Sequence, residues 1–274
     1  MSSAIAAWRR PWLVLGGARV DRDRPDLDAT SRLSAYLAAG VLSPRQCLHA
    51  ALRVNQGEFD GGNPGAVSWI NELLWREFYK HILVCYPRVS RHRAFRPETE
   101  SVRWRNDPKG LAAWKEGRTG IPLVDAAMRQ LLATGWMHNR LRMVSAMFLT
   151  KNLLIDWREG ERWFMQHLID GDLAANNGGW QWSASTGTDA APYFRVFSPV
   201  RQSHRFAPKG RFIARYVPEL ATADDKTIHE PWKQPLMTPD YPTTIVAHQG
   251  VKQRVESAFR AARDAWNQQN GDAS

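Results

Sequence analysis

Cysteine is nearly missing from this chain: there are two in 274 residues, Cys47 and Cys85, both in apolar sequence surroundings. Two isolated thiols can build neither a disulfide framework nor a structural zinc site, so a reducing cytosol is the expected compartment. Long apolar runs are also lacking, which argues against a membrane-spanning helix. Arg9 and Arg10 before Pro11-Trp-Leu-Val-Leu only imitate an export leader, because the apolar run is short, opened by Pro and closed by Arg19. Convincing strand alternation, internal repeats and low-complexity blocks are missing too. Acidic residues are outnumbered, 27 against 37 Lys and Arg, giving a net charge of +10. That excess favours a polyanionic partner, since each phosphate neutralised releases counterions.

What is present is helix after helix, and the expected fold class is all-α. Hydrophobic residues make up 43% of the chain, enough for a real core. Ser43-Pro44 and Asp107-Pro108 each place a capping side chain before a proline at the first helical position. Gly117 and Gly135 supply stops for helices over 108–116 and 122–134. Further helices are expected near 31–39, 64–85, 138–155, 159–168, 209–216 and 249–267, and the Pro-rich stretch 222–247 reads as an irregular tether.

Two helices carry unusual faces. Glu72, Trp75, Arg76 and Tyr79 fall at i, i+3, i+4 and i+7, with Ile70, Leu74, Phe78 and Cys85 expected to build core on the other side. Asn139, Arg142 and Met143 share a face backed by Leu141, Val144 and Phe148. An exposed Glu-Arg pair beside a Trp would explain the first face alone; two such faces are harder to dismiss. The segment from Asp170 to Pro199 adds acids, adjacent Asn residues, glycines and a Trp-Gln-Trp step with almost no aliphatic residue. Small residues permit close backbone approach to a flat ligand, acids and amides read its polar edge, and Trp supplies planar faces. The chain holds thirteen Trp, of which at least half are expected to be packing residues; Trp75 and Trp182 are the stronger stacking candidates.

Five stretches, TSRLS at Thr30–Ser34, WINELLWREFY at Trp69–Tyr79, GWMHNRLRM at Gly135–Met143, DWREGERWF at Asp156–Phe164 and DGDLAANNGGWQWSASTGTDA at Asp170–Ala190, occur together in order. In these the chain resembles the FAD-binding part of the photolyase/cryptochrome family, most closely bacterial class I cyclobutane pyrimidine dimer photolyases. The resemblance runs over residues 30–274 and implies one helical domain that holds FAD and admits a flipped-out pyrimidine dimer. It assigns FAD contacts to Thr30, Ser31, Arg32, Leu33, Ser34, Trp69, Glu72, Arg76, Asn139, Arg142, Asp170, Gly171, Asp172 and Asn176. Arg142 is expected to pair with Asp170, Asp172 to accept from the flavin's polar edge, and Asn176 to sit at flavin N5.

On the substrate side the resemblance implies that Glu72, Trp75, Asn139, Met143 and Trp182 meet the dimer. Arg24, Arg140 and Gln202 match positions that contact the DNA backbone. Trp104, Trp157 and Trp180 match a path for electrons to the flavin. The implied activity is light-driven dimer repair by electron transfer from reduced FAD in double-stranded DNA, by a monomer in the bacterial cytoplasm, at the nucleoid and off the membrane. Asn139 and Met143 favour cyclobutane dimers over (6-4) photoproducts. Two other outcomes stay open: a flavin-bearing sensor or DNA-binding module without repair activity, and an inactive truncated fragment.

The pattern departs from the family at two places. No antenna-chromophore domain is encoded in this sequence, and residues 1–29 read as a residual linker. A family Tyr that contacts the FAD phosphates is replaced by Val20, at an expected cost on the order of 1 kcal/mol for one hydrogen bond.

Overall fold

The computed structural model describes residues 21–246 and 250–271; Val20 and the leader-like stretch around Arg9 lie outside them. Among the described residues there are helices and turns and no strand. In chain order the helices are α1 (Ser34–Ala38), α2 (Pro44–Val54), α3 (Pro64–Cys85), α4 (Pro87–Ser90), α5 (Pro108–Glu116), α6 (Pro122–Thr134), α7 (Asn139–Met147), α8 (Trp157–His167), α9 (Leu173–Ala184), α10 (Pro199–Phe206), α11 (Arg211–Tyr216) and α12 (Val251–Gly271).

The starts and stops follow local chemistry. Ser43 forms a reciprocal capping box with Gln46, its Oγ accepting from the Gln46 N–H at 3.1 Å while Gln46 Oε1 accepts from the Ser43 N–H at 2.9 Å. Asp107 caps α5 through the Gly110 N–H at 2.8 Å. Gly117 and Gly135 end α5 and α6 at φ of 64° and 67°, a left-handed conformation that glycine adopts without steric cost.

The core is built around α6, most of whose residues are buried. Its Met128 and Leu131 meet Trp114, Leu141, Phe148, Trp157, Phe164 and Trp180 in one contiguous cluster. Inside this apolar mass sits Asp125. Its carboxylate accepts from the Thr119 N–H at 2.8 Å, the Thr119 hydroxyl at 2.6 Å, the Gly120 N–H at 3.0 Å and the Tyr241 hydroxyl. The irregular stretch before α12 is thereby pinned across the body, with the Ile245 N–H also donating to Thr119 O at 3.0 Å.

Several expectations need correction. The helix expected over 138–155 is α-helical only to Met147 and continues as a π-helical turn over Phe148–Asn152. TSRLS provides no side-chain cap: α1 begins at Ser34 after Leu33, and Arg32 takes a left-handed φ of 53°. The second face of α3 is not a core face, since Ile70 is buried while Leu74 and Cys85 are exposed. This helix lies at the edge of the body and packs along only part of its length. Cys47 alone of the two thiols is buried. Helices α9 and α10 were not expected at all. The first is rich in Gly and Asn, and the second repeats the Ser-Pro start, Ser198 Oγ accepting from the Arg201 N–H at 3.3 Å.

Two buried groups make the fold testable. Replacing Tyr241 by Phe strips one donor from the buried Asp125 carboxylate and should lower unfolding free energy by about 1–3 kcal/mol in urea titrations. No change would mean that this bond does not anchor the tether. His138 caps α7, and burial pushes its pKa down to about 4, the nearby Asp23 charge opposing only in part. Because the unfolded chain takes up this proton near pH 6.5 and the folded chain does not, stability present above that pH is lost as it falls toward 4. The wild type should lose roughly 2 kcal/mol more between pH 7 and pH 5 than His138→Asn, which keeps a capping acceptor and cannot titrate; equal losses would contradict a buried neutral imidazole.

Candidate flavin and lesion site

The sequence of α9 is a poor helix former, so its neighbours must hold it. Asp172 caps its first turn, Oδ1 accepting from the Ala175 N–H at 3.0 Å. At the other end the fully buried Lys151 donates from Nζ to Ala184 O at 3.1 Å and Ser185 Oγ at 2.7 Å. An anion at the N-terminus and a cation at the C-terminus both complement the helix dipole. Burial depresses the Lys151 ammonium to about 7. Along the middle, Glu161 of α8 accepts from Asn177 Nδ2 at 2.8 Å and meets His92 Nδ1 at 2.8 Å. Asn177 Oδ1 in turn accepts from Gln181 Nε2 at 2.8 Å, and Gln181 Oε1 accepts from the Phe95 N–H at 2.8 Å.

Glycines then allow close approach. A Cβ on Gly160 would collide with the Trp180 ring, and one on Gly178 with the Tyr79 ring of α3. Gly179, by contrast, faces open space within a cleft of about 150 Å³.

That cleft lies between α7, α8 and α9. Its lining brings together Asn139, Arg142, Met143, Asp170, Gly171, Asp172, Asn176 and Trp180. Arg142 Nη2 donates to both oxygens of Asp170, at 3.0 and 2.7 Å, and its Nε donates to Met137 O at 2.8 Å. Asp172 receives Lys80 Nζ at 3.0 Å, with Arg76 Nη2 at 3.8 Å. Burial raises this carboxyl, but the Ala175 N–H, Lys80 and Arg76 more than offset it, so its pKa lies below the ordinary value and it is ionised at neutral pH. Asn176 donates from Nδ2 to Glu161 O at 3.0 Å, which leaves its carbonyl oxygen as the free end.

The remaining expected site residues lie outside the cleft lining. Glu72 and Trp75 stand exposed on α3, and Arg22 Nη2 donates to Glu72 Oε1 at 2.6 Å. Trp182 is half-buried on α9. Trp69 Nε1 donates to Ser31 Oγ at 3.4 Å and Arg76 Nη2 to Leu37 O at 3.3 Å, tying the Thr30–Ser34 stretch and α1 to α3. Leu33 is buried with Leu42 and Cys47, whereas Arg32 lies over the Trp136 ring at 4.9 Å.

The three tryptophans expected to form an electron path differ in depth. Trp180 lines the cleft, Trp157 is fully buried in the same core, and Trp104 is only partly buried, edge-on to Phe259 at 6.1 Å. Of the expected DNA contacts, Arg24 is paired with Asp26 at 2.6 Å and Arg140 with Asp23 at 2.7 Å. Gln202 Oε1 is buried without a partner among the described residues.

Lys80, Glu161, Asn177, Gln181 and Lys151 were missed by reasoning on the sequence. Glu161 sits within one of the diagnostic stretches, and Lys80 follows Arg76 by one helical turn on the same face. Nothing in spacing alone reveals that either supports α9.

The residues present fit a flavin. One wall offers ionised and amide edges, glycine leaves room for a planar ring, and the buried Trp180 Nε1 has no hydrogen-bond partner among the described residues. Comparison with known proteins agrees. Residues 69–261 match the family model described as the FAD binding domain of DNA photolyase. The deoxyribodipyrimidine photo-lyase of Escherichia coli is 57% identical over 245 residues, 88% of this chain and 52% of that protein. The one from Salmonella typhimurium is 57% identical over 266 residues, 95% of this chain and 56% of that protein. Among solved structures, a bacterial class III photolyase from Agrobacterium tumefaciens superposes with a TM-score of 0.88 at 38% identity, covering 96% of this chain and 56% of that one. The chain thus spans about half the length of the curated relatives it matches. With this helical fold and cleft, it belongs to the family of FAD-binding domains of DNA photolyases.

Proposed function

We propose that this chain repairs cyclobutane pyrimidine dimers in double-stranded DNA, driven by light and by FAD held in the cleft. The observation that carries the proposal is the cleft itself. Asn139 and Met143 line it together with Arg142, Asp170, Asp172 and Asn176, which supports reading it as one cavity shared by the groups proposed for the dimer and those proposed for the flavin. When bound and reduced, FAD supplies a light-excited one-electron donor.

The protein's own groups do the rest. Asp172, ionised, accepts from the flavin's polar edge, and the Arg142 guanidinium is held beside it by Asp170. Asn176, anchored through its amide nitrogen, turns a carbonyl toward the ring. Trp75, Trp182 and Met143 offer apolar faces to a dimer that has left the helical stack, where damaged bases cost less to extrude. Glu72 hydrogen-bonds the pyrimidine edge once Arg22 yields. Arg24, Arg140 and Gln202 anchor the backbone without reading sequence. Trp104, Trp157 and Trp180 carry electrons from the surface to the cleft for light-driven activation. The working form is a monomer in the cytoplasm, acting at the nucleoid, with residues 30–274 as the functional domain.

Two substitutions separate these roles. Glu72→Ala should lower dimer repair or dimer affinity about ten-fold, equivalent to about 1.4 kcal/mol, with FAD content unchanged; loss of flavin instead would make the cofactor contact, of the two expected for Glu72, the dominant one. Trp104→Phe should abolish light-driven reduction of oxidised flavin while chemically reduced protein still repairs. Unimpaired photoreduction would remove Trp104 from the path.

A further inference from the structure

A second charged concavity lies away from the cleft. Just beyond the end of α3, Arg88, Arg91 and Arg93 line a hollow of about 380 Å³. The anion beside it, Glu100, is heavily shared: Arg158 Nη2 donates to Oε1 at 2.6 Å, Arg93 Nε lies at 3.1 Å, Arg88 Nη2 at 3.7 Å, and the Ala94 N–H donates at 2.8 Å. Arg158 is also paired with Asp156 at 3.2 Å, but the three lining arginines share only Glu100 among the described residues, which leaves the hollow positive. Arg91 makes no side-chain ion pair among the described residues, and Arg88 Nε is buried with no acceptor. Planar guanidinium groups lining one hollow, that of the exposed Arg91 without an ion pair among the described residues, match the oxygens of a phosphate.

We infer that this hollow binds a backbone phosphate of duplex DNA, as an anchor separate from the surface that meets the lesion. The inference rests on the proposed function for its choice of DNA as the source of the phosphate. The end of α3 at Cys85 lies ten residues beyond Trp75, about 15 Å along the helix, which sets the hollow apart from the proposed dimer contact. An anchor at that separation lengthens the footprint without touching the dimer.

The test is the salt dependence of binding to an undamaged duplex, read by fluorescence anisotropy on the full chain. Each phosphate contact contributes about 0.9 to the slope of log affinity against log salt. Arg91→Gln, and Arg88→Gln with Arg91→Gln, should reduce the slope by about one contact's worth, costing the wild type's extra affinity about three- to four-fold between 50 and 200 mM salt. Arg53→Gln, an exposed arginine on α2, is the control for overall charge and should leave the slope unchanged. A slope unaltered by the hollow variants, or reduced equally by the control, would overturn the inference. So would pyrophosphate binding that depends on Arg91 while duplex binding does not, since that would assign the hollow to free oligophosphates. Failure of the repair proposal would show separately, as absent light-dependent repair, whatever the slope does.

Discussion

Burial of the Glu161 carboxylate is the constraint on which the cleft depends. Helix α9 carries Asn176, Asn177, Gly178 and Gly179, residues that favour turns and caps over helix interiors, and isolated in water it would not form. It persists because Glu161, almost wholly buried, takes the Asn177 amide, and Asn177 takes Gln181. Each buried polar group is then satisfied only when its neighbour is, so the ladder forms as a unit. Of the two glycines that weaken α9 locally, Gly178 lets it lie against the Tyr79 ring and Gly179 leaves space in the cleft, while Gly160 on α8 admits the Trp180 ring. Poor propensity and functional fit have a single origin here.

Charge balance is the second theme. Asp172 is held by Lys80 and Arg76, Asp170 by Arg142, Glu72 by Arg22 and Arg140 by Asp23. Every charged group proposed for cofactor or DNA already has an intramolecular partner. Binding therefore exchanges ion pairs instead of creating them, and its net energy is smaller than a sum of new contacts. Surface pairs such as Arg22 with Glu72 are weak enough to exchange, whereas the Asp170 carboxylate is nearly sealed from solvent and stays committed to Arg142.

Helices bounded by local chemistry were legible in the sequence. Ser43-Pro44, Asp107-Pro108, Gly117 and Gly135 mark their elements correctly because caps and left-handed glycines act within a few residues. The Asn139, Arg142, Met143 face was equally readable, since a buried Leu141, Val144 and Phe148 stand behind it. Helix α9 was not readable, because its stability comes from Glu161, fifteen or so residues upstream, and from Lys151 farther still. Leu74 and Cys85 misled for the opposite reason: helical periodicity reports a face, and only packing decides whether anything covers it.

The central claim is that the α7–α8–α9 cleft holds FAD in a shape set by the buried Glu161 ladder. Titrating the purified chain with FAD and following flavin fluorescence tests it directly. One flavin should bind per chain, and Glu161→Gln, with helix content unchanged, should weaken binding about ten-fold or more, as loss of about 1–3 kcal/mol of buried hydrogen bonding requires. An affinity untouched by Glu161→Gln, or no saturable binding to the wild type, would contradict the account.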